Sequence, residues 1–427
     1  MTDLKTQIED FGRRARAAAR LLARASRELK DGGLLAMADE IVAGATEILA
    51  ANTQDVEKAK ANGLSGAMLD RLTLTGQRLA AMADGIREVA ALPDPVGEII
   101  KDWTRPNGLR IQKVRVPIGV VGIIYESRPN VTSDAAVLCT KTGNATILRG
   151  GRESIHSNVA IATALSRGAA KAGLPADSVL LIPTTDREAV RHLCEMDKYL
   201  DVIVPRGGKG LIETVVRHAR MPVIKHYDGI CIIYVDRDAD LVMAESIVVN
   251  AKCQRPGVCN AIETVLVHRD VAEKFFATTG RALLEKGVQL RADERGMKTL
   301  TAQRPTLNAQ VVAATPEDFR TEFLDLILAM KVVDSADAAI AHIEENGSRH
   351  SDGIVTANAE TAERFLGEVD SATVYWNAST RFTDGGEFGF GAEIGISTDK
   401  LHARGPMALE ELTTYKYILR GNGQIRT

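Results

Sequence analysis

Five short runs rich in apolar and β-branched residues, at 120–125, 146–148, 179–182, 202–204 and 231–235, alternate with stretches of helical periodicity near 134–141, 155–172, 186–195 and 210–218. That alternation constrains the fold more than any other feature of the chain. A strand that is apolar on both faces must be covered on both, and a strand–helix–strand repeat achieves this by crossing over with one hand. The pattern predicts an α/β protein with a doubly wound parallel sheet, its ligands lying beyond the carboxyl ends of the strands.

The alternation restarts further along, with strands at 262–267, 326–333, 353–356 and 373–376 separated by helices at 271–286, 336–345 and 360–367. A second α/β unit is expected there, with the boundary near residue 249. Ahead of the first unit, residues 1–92 are helix-rich. Leu79, Met82, Ala83, Ile86, Val89 and Ala90 form one apolar face that ends at Pro93. Between 96 and 116 the chain reads as a β-hairpin around Pro106-Asn107-Gly108, and the β-prone tail 413–419 is a candidate to pair with it. Such a hairpin either edges its own domain or finds its partner in another subunit.

A chain of 427 residues predicts two or three domains. A net charge of −3 argues against a nucleic-acid partner, and no apolar run approaches the ~20 residues of a membrane span. The first residues carry acids and no apolar core followed by a cleavage site, so no secretory signal is expected. Five cysteines without regular spacing or companion histidines argue against a disulfide framework and against a metal site, so a reducing cytoplasm is expected.

The chemistry is expected in the segment 250–264, NAKCQRPGVCNAIET. A cysteine thiol with a pKa near ~8.5 becomes a nucleophile only where positive charge or amide groups favour the thiolate. Around Cys259, Lys252 and Arg255 bring charge, and the Pro256-Gly257 turn offers N–H groups to an oxyanion. Cys253 lacks that context and reads as structural. Two glycine-rich turns close predicted strands: Arg149-Gly150-Gly151-Arg152, and the 205–210 turn containing Gly207 and Gly208. Each reads either as a phosphate cradle or as a tight strand-to-helix turn.

The string Q-x-x-G-x-C at Gln254 to Cys259, followed by a strand, resembles the active-site segment of the aldehyde dehydrogenase superfamily. Residues 117–154, PIGVVGIIYESRPNVTSDAAVLCTKTGNATILRGGRES, and 389–418, GFGAEIGISTDKLHARGPMALEELTTYKYI, extend the likeness nearly end to end. The resemblance implies an aldehyde-dehydrogenase-like fold of three parts. A Rossmann-like NADPH-binding domain would take 1–93 and 116–248, a catalytic domain 249–404, and a small β oligomerisation flap 94–115 with 405–427. It implies Cys259 as nucleophile, Asn130 as an oxyanion donor and Glu322 on the nicotinamide ribose. It also implies Arg149, Gly150, Gly151, Arg152, Gly207 and Gly208 along the cofactor, with Arg149 near the adenosine ribose and a cation at Arg152 favouring NADPH over NADH. The string at 223–229 carries no glutamate where hydrolytic members place their general base, so an acyl-cysteine would be spared from water.

The branch it resembles reduces L-glutamyl 5-phosphate to glutamate 5-semialdehyde in proline biosynthesis. Arg128, Arg255, Ser379 and Arg381 are the candidate substrate contacts, with Glu126, Asn377 and Thr380 beside them, and Arg255 or Lys252 would assist the departing phosphate. A homo-oligomer, dimer or tetramer, and glutamate 5-kinase are the candidate partners. Alternative readings are a CoA-acylating aldehyde dehydrogenase and a non-catalytic homologue.

Overall fold

A computed structural model gives the structure, which describes residues 3–64, 66–303 and 310–426. The chain divides into two compact units, 1–225 with 389–396 and 406–427, and 226–388 with 397–405.

The first unit opens with five helices, α1 (Leu4–Leu22), α2 (Arg27–Ala43), α3 (Ala45–Ala61), α4 (Gly66–Leu72) and α5 (Gly76–Ala91). Their starts follow from capping: the side chains of Asp3, Ser26 and Thr75 accept hydrogen bonds from the first turns of α1, α2 and α5. The six apolar residues read from the sequence are the buried face of α5. A hairpin follows, β1 (Ile99–Thr104) and β2 (Arg110–Pro117), turning at Gly108 with φ of 84°. Then come β3 (Val120–Tyr125), α6 (Pro129–Lys141), β4 (Ala145–Arg149), α7 (Ile155–Lys171), β5 (Val179–Leu181), α8 (Glu188–Cys194), β6 (Val202–Arg206) and α9 (Lys209–His218). The four strands form a parallel sheet in the order β5-β4-β3-β6, in which Ile123 lies between Leu148 and Val204.

The fifth strand expected in that sheet is not there. Residues 231–235 form β7 (Cys231–Val235), which pairs with strands of the second unit, so the boundary falls after residue 225 and not near 249. An apolar run satisfies any fully covered position, and its pattern does not encode its neighbour.

The second unit holds a seven-stranded sheet, wholly parallel, in the order β10-β9-β11-β8-β7-β12-β13. After β7 come α10 (Leu241–Cys253), β8 (Ile262–His268), β9 (Gln289–Ala292), β10 (Val311–Ala313), β11 (Ile327–Val333), β12 (Ser351–Val355) and β13 (Thr373–Trp376). Alternate residues serve opposite faces. Ile233, Val235, Val265 and Val267 join one core with Phe275 and Phe276, while Ile232, Tyr234, Leu266 and Ile354 join another with Phe365. Each fully buried side chain of this size is worth about 1.5–3 kcal/mol. The sequence reading missed α10, β9 and β10; the two strands are short, and β9 carries Gln289 and Arg291.

A short pair, β14 (Gly395–Ser397) and β15 (Gly405–Met407), precedes β16 (Thr413–Arg420). As expected, β16 pairs with the hairpin, running antiparallel to β2 with Tyr417 opposite Lys113. The resulting three-stranded sheet leaves Ile99, Tyr415, Tyr417 and Leu419 exposed, with Trp103 edge-on to Tyr417.

Candidate active site

Cys259 lies in the turn between α10 and β8. Because β8, β7 and β12 are parallel neighbours, the segments leading into their amino ends are neighbours as well. The cluster in this unit therefore forms at the amino-terminal edge of the sheet, opposite to the carboxyl edge that doubly wound sheets usually use.

Three side chains meet there. The Sγ of Cys259 and one ring nitrogen each of His226 and His350 lie within 4.8 Å of one another. The two imidazoles pack edge to face, with ring centroids 5.3 Å apart. Cys259 is half-buried, and its backbone N–H makes no hydrogen bond among the described residues, so it is available to an oxyanion. The Cys259 carbonyl accepts from the Cys231 thiol at 3.2 Å. Gly229 closes the turn from below, for a Cβ at that position would stand 2.2 Å from the Cys259 carbonyl oxygen. His350 is buried and follows Arg349, which holds a left-handed φ of 61°. A non-glycine residue in that region is strained, and such strain gathers at functional sites.

The sequence reading quoted the 223–229 string only for the glutamate it lacks and so passed over His226. His350 sits in no motif, and nothing local could have marked it.

Around the sulfur the cations divide into two kinds. Lys252 is fully buried, bonded to the Glu263 carboxylate at 2.6 Å and to the Ile262 carbonyl at 3.1 Å. Burial pushes the Lys252 amine down and the Glu263 carboxyl up to about 7, each partner opposing the other's shift. The part given to Lys252 in phosphate departure is therefore corrected: its charge is spent inside the protein. Arg255 and Arg381 differ. Burial, then the neighbouring Arg255 charge, lowers the Arg381 pKa, while Asp384, Cys259 and Glu387 oppose that fall, so the Arg381 guanidinium lies within reach of the sulfur's charge and of Arg255. Arg381 is held by Gln254 Oε1 at 2.8 Å and by Asn260 Oδ1. Arg255 is exposed and makes no hydrogen bond or ion pair among the described residues. Two adjacent cations repel each other; Asp384 and Glu387 offset part of that repulsion at Arg381, and a bound anion would relieve more of it.

The loop after β13 carries Arg381. The buried Ser379 hydroxyl accepts from the Arg381 N–H at 3.3 Å, and Thr380 donates to the Asn260 carbonyl at 2.7 Å. Both amide groups of Asn377 bond to Thr356, so Asn377, Ser379 and Thr380 build the loop while Arg381 faces the cluster. Glu322 also belongs here. It accepts from the Gly229 N–H; burial raises its carboxyl, and the N–H and His226 oppose that rise.

In the first unit the two glycine-rich turns stand at the carboxyl ends of β4 and β6, as expected. Arg149 is buried, and its guanidinium donates to the carbonyls of Gly150, Thr185 and Asp186 at 3.1 to 3.3 Å. It ties down a loop through the guanidinium that the family resemblance assigns to the adenosine ribose. Arg152 is 68% exposed, with only a loose 3.7 Å pair to Glu153. A Cβ on Gly150 would meet Asn158 at 2.1 Å, and one on Gly207 would meet Glu126 at 2.6 Å, so these glycines answer close packing. Gly208, the N-cap of α9, and Gly210 face open space, the nearest atom to a Cβ on Gly208 being a Glu126 oxygen at 3.9 Å.

Asn130 lies exposed in the first turn of α6, whose N-cap is Arg128, and its amide donates to Asp134 at 2.9 Å. Burial raises the Asp134 carboxyl to about 6 against the pull of Asn130 and Arg206. All five cysteines are free thiols, and among the described residues no helix is long and apolar enough to cross a membrane.

A parallel α/β unit with glycine turns at its carboxyl edge, followed by another that mounts a cysteine beside an arginine and two imidazoles, is the architecture of the aldehyde dehydrogenase class of oxidoreductases. The sequence pattern of the aldehyde dehydrogenase family matches residues 4–299, and the chain belongs to that family. Within it, the chain falls among the gamma-glutamyl phosphate reductases. It is 57% identical to the gamma-glutamyl phosphate reductase of Moorella thermoacetica over 98% of this chain and 99% of that one, and 55% identical to that of Opitutus terrae over 100% and 99%. The crystal structure of the Thermotoga maritima gamma-glutamyl phosphate reductase is 44% identical, superposes with a TM-score of 0.94, and covers 98% of this chain and 100% of its own.

Proposed function

We propose that this protein reduces L-glutamyl 5-phosphate to L-glutamate 5-semialdehyde with NADPH, releasing phosphate, as the second step of proline biosynthesis. The observation that carries this reading is Arg381, fixed by Gln254 and Asn260 with its charge felt at Cys259 and with Arg255 as its neighbour, a cation next to a nucleophile. The Cys259 thiolate attacks the acyl carbon while its own N–H holds the oxyanion; Asn130 stays the candidate second donor by family resemblance, its amide keeping a hydrogen beyond the one given to Asp134. The C–O bond to phosphate breaks, and the leaving phosphate, taking a proton from solvent, departs as the dianion toward Arg381. A bound nicotinamide would supply the hydride that reduces the thioester, and the thiohemiacetal on Cys259 then collapses to aldehyde and thiolate.

Family membership supports a nicotinamide cofactor, and the exposed Arg152 is the side chain that supports NADPH by its affinity for a 2′-phosphate. Glu322 is assigned to the nicotinamide ribose, Gly208 to a phosphate of the cofactor, and Arg128 stays a candidate for the substrate's polar end. The apolar sheet of β1, β2 and β16 supports a homo-oligomer, with a second copy covering Tyr415, Tyr417 and Leu419. Free thiols fit a cytoplasmic enzyme, and the kinase that makes the labile acyl phosphate is its natural partner.

The test runs the reaction backwards. Glutamate 5-semialdehyde, phosphate and NADP⁺ are mixed with the protein, and NADPH absorbance is followed. Phosphate-dependent NADPH formation that disappears in Cys259→Ala supports the reading. No NADPH, or NADPH formed with CoA in place of phosphate, overturns it.

A further inference from the structure

Behind His350 lies a closed set of hydroxyl groups. His350 Nδ1 is 2.8 Å from Ser351 Oγ. Ser351 Oγ is 2.7 Å from both Thr373 Oγ1 and Thr383 Oγ1, those two are 2.8 Å apart, and Tyr375 OH is 2.7 Å from Thr383 Oγ1. Each short contact needs one hydrogen between its two atoms. There are five contacts, and the four hydroxyls bring four hydrogens. The fifth must come from the imidazole.

The three contacts among Ser351, Thr373 and Thr383 use the three hydrogens of those residues, so Tyr375 donates inward at one corner and His350 Nδ1–H at another. The longer approaches, Thr373 to the His350 carbonyl at 3.3 Å and the Cys231 thiol to His350 Nδ1 at 3.5 Å, are the ones that yield. With the hydrogen on Nδ1, the lone pair of neutral His350 is on Nε2. That atom is buried and has no hydrogen-bond partner among the described residues. A buried, unbonded lone pair carries a desolvation cost, which a group that receives a proton during turnover recovers.

We infer that His350 is the base that removes the Cys259 thiol proton, with its tautomer fixed by the Ser351–Thr373–Thr383–Tyr375 hydroxyl set. The Sγ–H bond breaks and an Nε2–H bond forms, leaving a thiolate beside an imidazolium. The thiolate electron pair makes the bond to the acyl carbon, and phosphate departs with the C–O pair. After hydride reduction, the C–S pair returns to sulfur as the aldehyde forms. The thiolate is regenerated beside the same imidazolium, so no net proton is consumed at the cluster. The hydroxyl set accommodates both states, because Nδ1–H donates to Ser351 in each. The other charged or titratable groups facing the pair are Arg381, whose charge is felt at Cys259, His226, edge-on to His350 with Glu322 near it, and Cys231. Asp352, next along β12, turns instead to Ser371 and the Ile232 N–H.

This inference rests on the proposed function for the later steps, but the proton transfer precedes substrate and is measured without it. The rate of Cys259 alkylation by iodoacetamide is followed against pH in the full-length, substrate-free protein, with the Cys259 and Cys253 peptides read separately by mass spectrometry. Wild-type Cys259 is expected to react faster than Cys253 at neutral pH. In His350→Gln the Cys259 reaction at neutral pH slows roughly tenfold, while Cys253 is unchanged. Ser351→Ala keeps the imidazole and removes the acceptor of its Nδ1–H; it moves the Cys259 profile in the same direction and serves if His350→Gln fails to fold. Wild-type Cys259 profiles in both variants overturn the inference. So does a wild-type profile that changes on adding EDTA, since the donors would then be holding a cation. An active wild type whose variants keep the wild-type profile sinks this inference alone; an inactive wild type with the expected profiles sinks only the proposed function.

Discussion

At position 229 the structure leaves no room for a side chain, because the Cys259 turn lies directly against it. Gly229→Ala is therefore expected to destabilise the protein by about 1–3 kcal/mol, as overpacking does. Its kcat/KM should fall further than that loss explains, since a nucleophile displaced by ~1 Å costs ~10²-fold. Urea midpoints and steady-state kinetics on one preparation would show it, and an active Gly229→Ala enzyme would mean the turn shifts freely. Arg381 offers a cleaner separation, being tied to Gln254 and Asn260 with its charge beside the sulfur. Arg381→Ala removes a charge-assisted contact of about 1.5–3 kcal/mol, so the Michaelis constant for phosphate in the reverse reaction should rise ~10-fold or more. Arg152 makes a prediction about the cofactor alone. Arg152→Glu should lower the NADPH-to-NADH preference by ~10-fold or more, while Arg149→Lys should chiefly lower stability, because Arg149 serves backbone carbonyls. An unchanged preference in Arg152→Glu would place the 2′-phosphate elsewhere.

Among the elements, those with a strong local signature were legible and those defined by their neighbours were not. The buried face of α5 and the pairing of the tail with the hairpin follow from apolar spacing and turn chemistry. Helix α6 begins at Pro129, ahead of the expected 134, since proline is at ease in a first turn. Strand β7 was recognised as a strand and given to the wrong sheet, for its side chains suit either core. The three-stranded sheet of β1, β2 and β16 carries its own prediction. Tyr417→Glu puts a charge on its exposed aromatic cluster and should shift the sedimenting species toward smaller mass with unchanged circular dichroism. A variant that sediments as wild type would remove this sheet from the oligomer interface.

For the molecule as a whole, stability and pH are linked through buried carboxyls. Burial pushes Asp352 up to about 7, opposed by Ser371 and the Ile232 N–H. An acid with its folded pKa raised above the ~3.9 of the unfolded chain contributes stability that is full below that value and lost as pH rises through 7. Asp352→Asn, which keeps the neutral shape, is spared the loss. The unfolding free energy of wild type relative to Asp352→Asn should therefore fall between about pH 4 and pH 8, as read from urea midpoints, and a pH-independent difference would refute the assignment.

By itself the sequence determined the α/β alternation and the class of enzyme, and it singled out Cys259 as the proposed nucleophile, because each is written in consecutive residues whose spacing or chemistry is local. Only the tertiary structure decided which sheet takes β7, that Lys252 is spent on Glu263, that Arg149 ties a loop, and that His226 and His350 come to the sulfur. The physical reason is the parallel sheet: strand order is set by the crossovers that bury each face, and that order makes neighbours of segments distant along the chain.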